Sequence, residues 1–139
     1  MDVLVLIGRI LFAALFLSSA VGHFTKTKDM AAYAGSKGVP APAAATLGGG
    51  VLLVAGGLSV LLGICADLGA LLLAVFLVPT AFLMHAFWTE TDGQTKQMEM
   101  IQFFKDLALA GAALMLVAFF AYTGHDLGLT LTGSLFDFD

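Results

Sequence analysis

Four apolar stretches, at approximately 3–22, 47–64, 68–87 and 103–122, fill almost the whole chain and leave only short charged loops between them. Each is close to the ~20 residues that a helix needs to cross ~30 Å of hydrocarbon. A chain of 139 residues that is 60% hydrophobic and only 12% charged could not cover a water-soluble core with polar surface. The expected fold class is therefore an all-α membrane protein, a four-transmembrane-helix up-down bundle. Residues 1–139 read as a single domain with a tail at 124–139, and no room is left for a separate soluble catalytic domain.

Several function classes drop out early. The net charge of -4 is small and dispersed, and no basic run offers a footprint for nucleic acid. The small residues Ser18 to Gly22 resemble a cleavage region, but Asp2 replaces the positive start of a secretory signal, Arg9 interrupts the apolar run, and the run is long enough to span. It reads as the first helix. Cys65 is the single cysteine, so a thiol–disulfide relay, a covalently attached haem and a thiolate zinc site are all beyond one chain. No metal site is expected.

Lys26, Lys28 and Lys37 lie between the first two stretches, and Lys96 and Lys105 lie between the last two or at the start of the fourth. The positive-inside bias then predicts loops 25–46 and 88–102 in the cytoplasm and both termini outside. Because helices associate in lipid through close backbone approach, Ala14/Ser18/Gly22, Ala55/Ser59/Gly63 and Ala108/Gly111/Ala112 are expected as packing seams. Pro79 should bend the third helix. Residues Lys28 to Lys37 suit a short amphipathic helix on the headgroups. The alternating tail, Leu129 to Thr132 and then Leu135 to Asp139, suits strand-like pairing with a partner or an interfacial tail.

In an up-down bundle, His23, His85, Trp88, Lys105 and Asp106 share one end. Ionisable residues at membrane depth tend to face the bundle interior and pair there. Three readings fit this cluster: a polar network with interfacial lysine and tryptophan; a ligand site for a quinone or similar headgroup, with Trp88 and Phe104 as walls; and bis-imidazole haem ligation by His23 and His85, which suits helix ends poorly. No intrinsic cofactor is expected. At the opposite end, Arg9 lies about 9 Å along its helix from Val3, where Asp67 or Asp126 could pair with it or a ligand could meet it.

An ordered set of short motifs carries a family resemblance. Gly8-Arg9-Ile10-Leu11, Ser18 to Gly22, Gly38-Val39-Pro40, Gly56-Gly57-Leu58, Thr80 to His85 and Phe104-Lys105-Asp106-Leu107 resemble the DoxX family of small bacterial membrane proteins, in order over approximately 8–120. The resemblance implies a four-helix inner-membrane bundle associated with redox enzymes, described as a putative oxidoreductase or as an auxiliary subunit of quinone-linked or oxidative-stress systems. It implies partners among membrane redox subunits or a homo-oligomer, and family polar positions at Arg9, His85, Lys105 and Asp106. Asparagine is common in the family where Asp106 stands, lysine where His23 stands, and glutamate where Leu53 stands. Without that glutamate, and with no acidic residue in the middle of any predicted span, proton-coupled antiport is not expected. An auxiliary role, a quinone-reactive subunit and an oligomeric lipid or small-molecule handler remain as readings.

Overall fold

The computed structural model describes residues 1–137. Its helices are α1 (Asp2–Thr25), α2 (Thr27–Ser36), α3 (Pro42–Leu62), α4 (Ala66–Met84) and α5 (Gly93–Thr123), with one 3₁₀ turn at Phe87–Thr89. Four of these elements are long and apolar enough to cross a membrane, and there is no strand among the described residues. The chain is an all-helical, multi-pass membrane bundle in a lipid environment. Contacts run from α1 to α3, from α3 to α4 and from α4 to α5, while α2 lies across one end of α3.

Two helix starts differ from the hydropathy reading, for local reasons. Pro42 stands in the first turn of α3, where its fixed φ suits a helix and its missing N–H costs nothing. The helix thus begins five residues before the apolar run. In α5, Asp92 accepts from the Thr95 backbone N–H at 2.9 Å and caps the helix. That cap starts α5 ten residues before Phe103 and brings Glu99 onto a helix. The amphipathic segment at 28–37 is helical, as α2.

The packing seams coincide only in part with the small-residue stripes: Gly63 is buried and Ser59 lies against Gly69 of α4. Ala14, Ser18, Ala55, Ala108 and Gly111 are exposed on the outside of the bundle. The buried face of α1 is Arg9, Ala13, Phe16, Ala20 and His23, one helical position away. Spacing alone cannot choose between neighbouring faces when both carry small residues. In α3 the close approach is made by Gly56, where an added Cβ would come within 2.7 Å of Leu73 Cγ and 2.8 Å of the Gly69 carbonyl. Leu53, Val60, Leu73 and Leu77 fill the seam around it.

The end of α3 shows how a helix terminus is satisfied at membrane depth, where unpaired carbonyls cost several kcal/mol. Gly63 adopts the left-handed conformation (φ 67) and its N–H donates to Ser59. Arg9 Nε donates to the Val60 carbonyl at 2.8 Å, Nη2 to Leu61 at 2.6 Å and Nη1 to Leu129 at 2.7 Å. The Leu131 N–H closes the count on Leu62 at 3.2 Å. Arg9 is only 3% exposed, and its partners are carbonyls, so the predicted pairing with Asp67 or Asp126 does not form among the described residues. The guanidinium instead completes the negative end of the α3 dipole.

The tail packs on its own chain. Thr132 Oγ1 accepts from the Cys65 N–H at 2.8 Å, and buried Asp67 Oδ2 accepts from the Leu135 and Phe136 N–H groups at 2.7 and 2.6 Å. Leu129 to Phe136 therefore clamp the α3–α4 turn rather than forming a strand. Phe138 and Asp139, the end of the alternating segment, lie outside the described residues.

Candidate functional site

A cavity of about 530 Å³ opens at the end of the bundle opposite Arg9, between α1, α2, α3, α4 and α5. Its wall is largely apolar: Met30, Val39, Leu52, Val75, Phe76, Pro79, Leu83 and Met84. Pro79 contributes no N–H to α4, and Thr80 Oγ1 donates to the Phe76 carbonyl at 2.7 Å in the same turn. Gly49 keeps the space open, since a Cβ there would meet Phe76 at 3.0 Å and the His23 ring at 3.5 Å.

The polar groups converge at the rim of this cavity, the end that carries the 25–46 and 88–102 connections. His23 Nδ1 donates to the Ser19 carbonyl at 2.9 Å. A carbonyl only accepts, so the neutral ring carries its proton on Nδ1 and presents Nε2 as an acceptor. The Thr46 and Thr80 hydroxyls already donate to backbone carbonyls. Ser19, Tyr33, His23, His85, Lys105 and Asp106 are the lining side chains that keep hydrogen-bonding capacity toward a guest. Lys105 Nζ also donates to Gln102 Oε1 one turn back.

Glu99 organises this rim, and hydropathy missed it. Its Oε2 lies 2.6 Å from His85 Nδ1, and its Oε1 accepts from the Tyr33 hydroxyl at 2.9 Å. Lys37 Nζ stands 3.6 Å from the same Oε1 and 3.0 Å from Glu90 Oε1. On its other side, His85 places Nε2 at 3.7 Å from Asp106 Oδ2. One imidazole thus sits between two carboxyl groups that both come from α5. Burial and the hydrogen bond to Glu99 raise the Tyr33 phenol above its ordinary value of 10.0. The Glu90 hydrogen bond holds Lys37 above 10.5.

The signal for Glu99 is present in the sequence. Glu99, Phe103, Asp106, Ala110 and Ala113 recur at steps of four, three, four and three, and all are buried. That is the inward stripe of one continuous helix. A span drawn from Phe103 cuts the stripe and assigns its acidic member to a loop.

The remaining candidates separate from the cavity. Trp88 is 52% exposed and packs in an aromatic cluster with Phe82, Phe87 and Phe103 at ring-centroid distances of 6.2, 5.3 and 5.5 Å. It is not among the residues that line the cavity. Phe104 belongs to the same outer cluster. Arg9 is at the far end of the bundle. Among the described residues no group of three or more His, Cys, Asp or Glu side chains is placed to hold a metal.

The sequence model of the DoxX family matches residues 4–86. The chain belongs to the DoxX family. Among curated proteins, the inner membrane protein YqjF of Escherichia coli (strain K12) is 33% identical over 118 residues, covering 83% of this chain and 82% of the relative. No solved structure matches the chain. The family match and the four apolar helices support a multi-pass inner-membrane protein. The match ends at residue 86, so the DoxX model covers His23 and His85, while Glu99, Lys105 and Asp106 are supplied by α5 beyond it. Leu53, the position where the family resemblance implies glutamate, is fully buried in the α3 seam.

Proposed function

We propose that this DoxX-family protein holds a lipophilic molecule of quinone type in the rim cavity and acts as an auxiliary, non-catalytic component of a quinone-linked membrane redox system. The observation that carries this reading is the cavity itself: about 530 Å³ of mainly apolar wall, closed at one end by two imidazoles, a lysine and a carboxyl group. Ligand sites combine an apolar body with a few convergent polar groups in this way. A quinone ring with its isoprenoid tail would lie along Phe76 and Leu83 and present a carbonyl oxygen to the Lys105 ammonium, the cationic donor of the rim. The lysines of the two longer loops support a cytoplasmic side for that rim. Cysteine at Thr91, in a Cys65→Ser background, should then be shielded from an impermeant maleimide in intact cells and labelled after lysis.

The binding reading is tested by titrating the detergent-solubilised chain with ubiquinone-1 in a calorimeter. Saturable one-to-one binding is expected, and Gly49→Leu, which fills the cavity against Phe76 and His23, should weaken it about tenfold or more. Equal binding by both proteins would place the ligand elsewhere. A redox partner retained through purification supports the auxiliary role, whereas a stable assembly of this chain alone favours an oligomeric handler of small molecules.

A further inference from the structure

We propose that His85 is an acid–base group of the cavity, oriented by Glu99, and that the cavity takes a phenol or hydroquinone headgroup with its hydroxyl proton passed to His85 Nε2. The inference rests on the cavity being a ligand site and adds which protonation state it selects.

The geometry supplies each element of such a group. The 2.6 Å contact with Glu99 Oε2 fixes the plane of the imidazole and keeps a proton on Nδ1. His85 lines the cavity, and Nε2 is then the nitrogen left to accept from a guest, as in an imidazole aimed by a carboxylate behind it. Asp106 stands 3.7 Å from Nε2, too far for a hydrogen bond but close enough to favour the imidazolium once it forms. Glu99 is itself held, by the Tyr33 hydroxyl at 2.9 Å and the Lys37 ammonium at 3.6 Å.

The step is a proton transfer alone. The O–H bond of the headgroup breaks, its electron pair stays on oxygen as a phenolate, and an N–H bond forms at Nε2. No electron acceptor is needed for it. Six further titratable or charged groups bear on the balance: Glu99, Asp106 and Lys105 from α5, Tyr33 from α2, Lys37 at the end of α2 and His23 from α1. Lys105 and His23 line the same cavity, where the Lys105 cation would hold the phenolate oxygen and the acceptor nitrogen of His23 would accept from the second hydroxyl of a hydroquinone. Glu99 touches no guest, so its role is that of a positioning residue.

The test uses 4-nitrophenol, whose phenolate absorbs in the visible, with the full chain in detergent at a pH below the probe's own ionisation midpoint. Wild-type protein should convert the bound probe largely to phenolate. Glu99→Gln should cut the phenolate-to-phenol ratio about tenfold, one pH unit in the bound probe's midpoint, while the probe's dissociation constant moves much less. His85→Ala should remove the conversion. Glu90→Gln, which weakens the Lys37 anchor at the end of α2 without touching Glu99 or the cavity, should retain the conversion and so separates orientation of His85 from general loosening of the rim. Probe bound as neutral phenol, probe that fails to bind, or a phenolate ratio indifferent to Glu99→Gln each overturns the inference. Ubiquinone-1 binding in the same preparation tells which claim has failed: retained, it leaves the ligand site standing, and absent, it removes both.

Discussion

At the scale of single residues, the rim is a case of charges made tolerable by their neighbours. Glu99 and Asp106 are buried, and each stands beside His85, a pairing that ionisable groups near a membrane interior require. Lys37 and Tyr33 tie the same network to α2. This gives stability a sign on the alkaline side. Both groups hold their protons more firmly in the fold than the ordinary values of 10.5 and 10.0 allow. Above about pH 10 the unfolded chain releases protons that the folded chain keeps, so the contribution is complete below that pH and is lost as pH rises through the raised values. Thermal unfolding in detergent between pH 8 and 11 should show the midpoint falling at the alkaline end. The double variant Tyr33→Phe, Lys37→Met should flatten that fall, and an unchanged slope would contradict the network's role.

At the scale of elements, the sequence carried the helices more clearly than their ends. Hydropathy located four spans because lipid demands long apolar runs whatever the packing. It placed α5 too late because Met98, Glu99, Met100, Ile101 and Gln102 average out as neither apolar nor polar, although their face-by-face pattern is helical. Small-residue spacing chose the neighbouring face at Ala14 and Ala55 because Ala13 and Gly56 stand beside them and are also small, while Ser59 and Gly63 of the same stripe do pack. Arg9 was legible as a membrane-embedded cation but not as a cap, because its partners are backbone carbonyls that leave no trace in side-chain identity. Its three hydrogen bonds connect α1, the end of α3 and the tail. Arg9→Met should therefore leave Val60 and Leu61 carbonyls orphaned and cost roughly 3 kcal/mol or more, read as a lower unfolding midpoint and easier proteolysis after Thr123. Arg9→Lys should recover only part of this, since a single ammonium cannot reach three carbonyls in different directions. A tail as protected in Arg9→Met as in the parent would refute the cap.

At the scale of the whole molecule, the bundle has a sealed end and an open one. Arg9, Asp67 and the tail close off the α3–α4 turn, whereas α2 and the long loops surround a cavity with unspent hydrogen-bonding groups. The candidate residues His23, His85, Lys105 and Asp106 could be grouped from topology alone, because an up-down bundle must bring those helix ends together. Trp88 could not be excluded that way, since α4 stops at Met84 and the turn at Phe87–Thr89 carries Trp88 off any helical face shared with His85. The cavity itself depends on Gly49, Pro79 and the crossing of α2, none of which announces a volume in sequence.

The most direct measurement is photo-crosslinking in native membranes with an azido-ubiquinone analogue, followed by peptide mapping. The cavity account predicts label on the α1 end near His23 and on α4 between Val75 and His85, competed away by ubiquinone-1 and lost in Gly49→Leu. Label confined to the outer aromatic cluster of Trp88 and Phe104, or spread evenly along the lipid-facing helices, would contradict it.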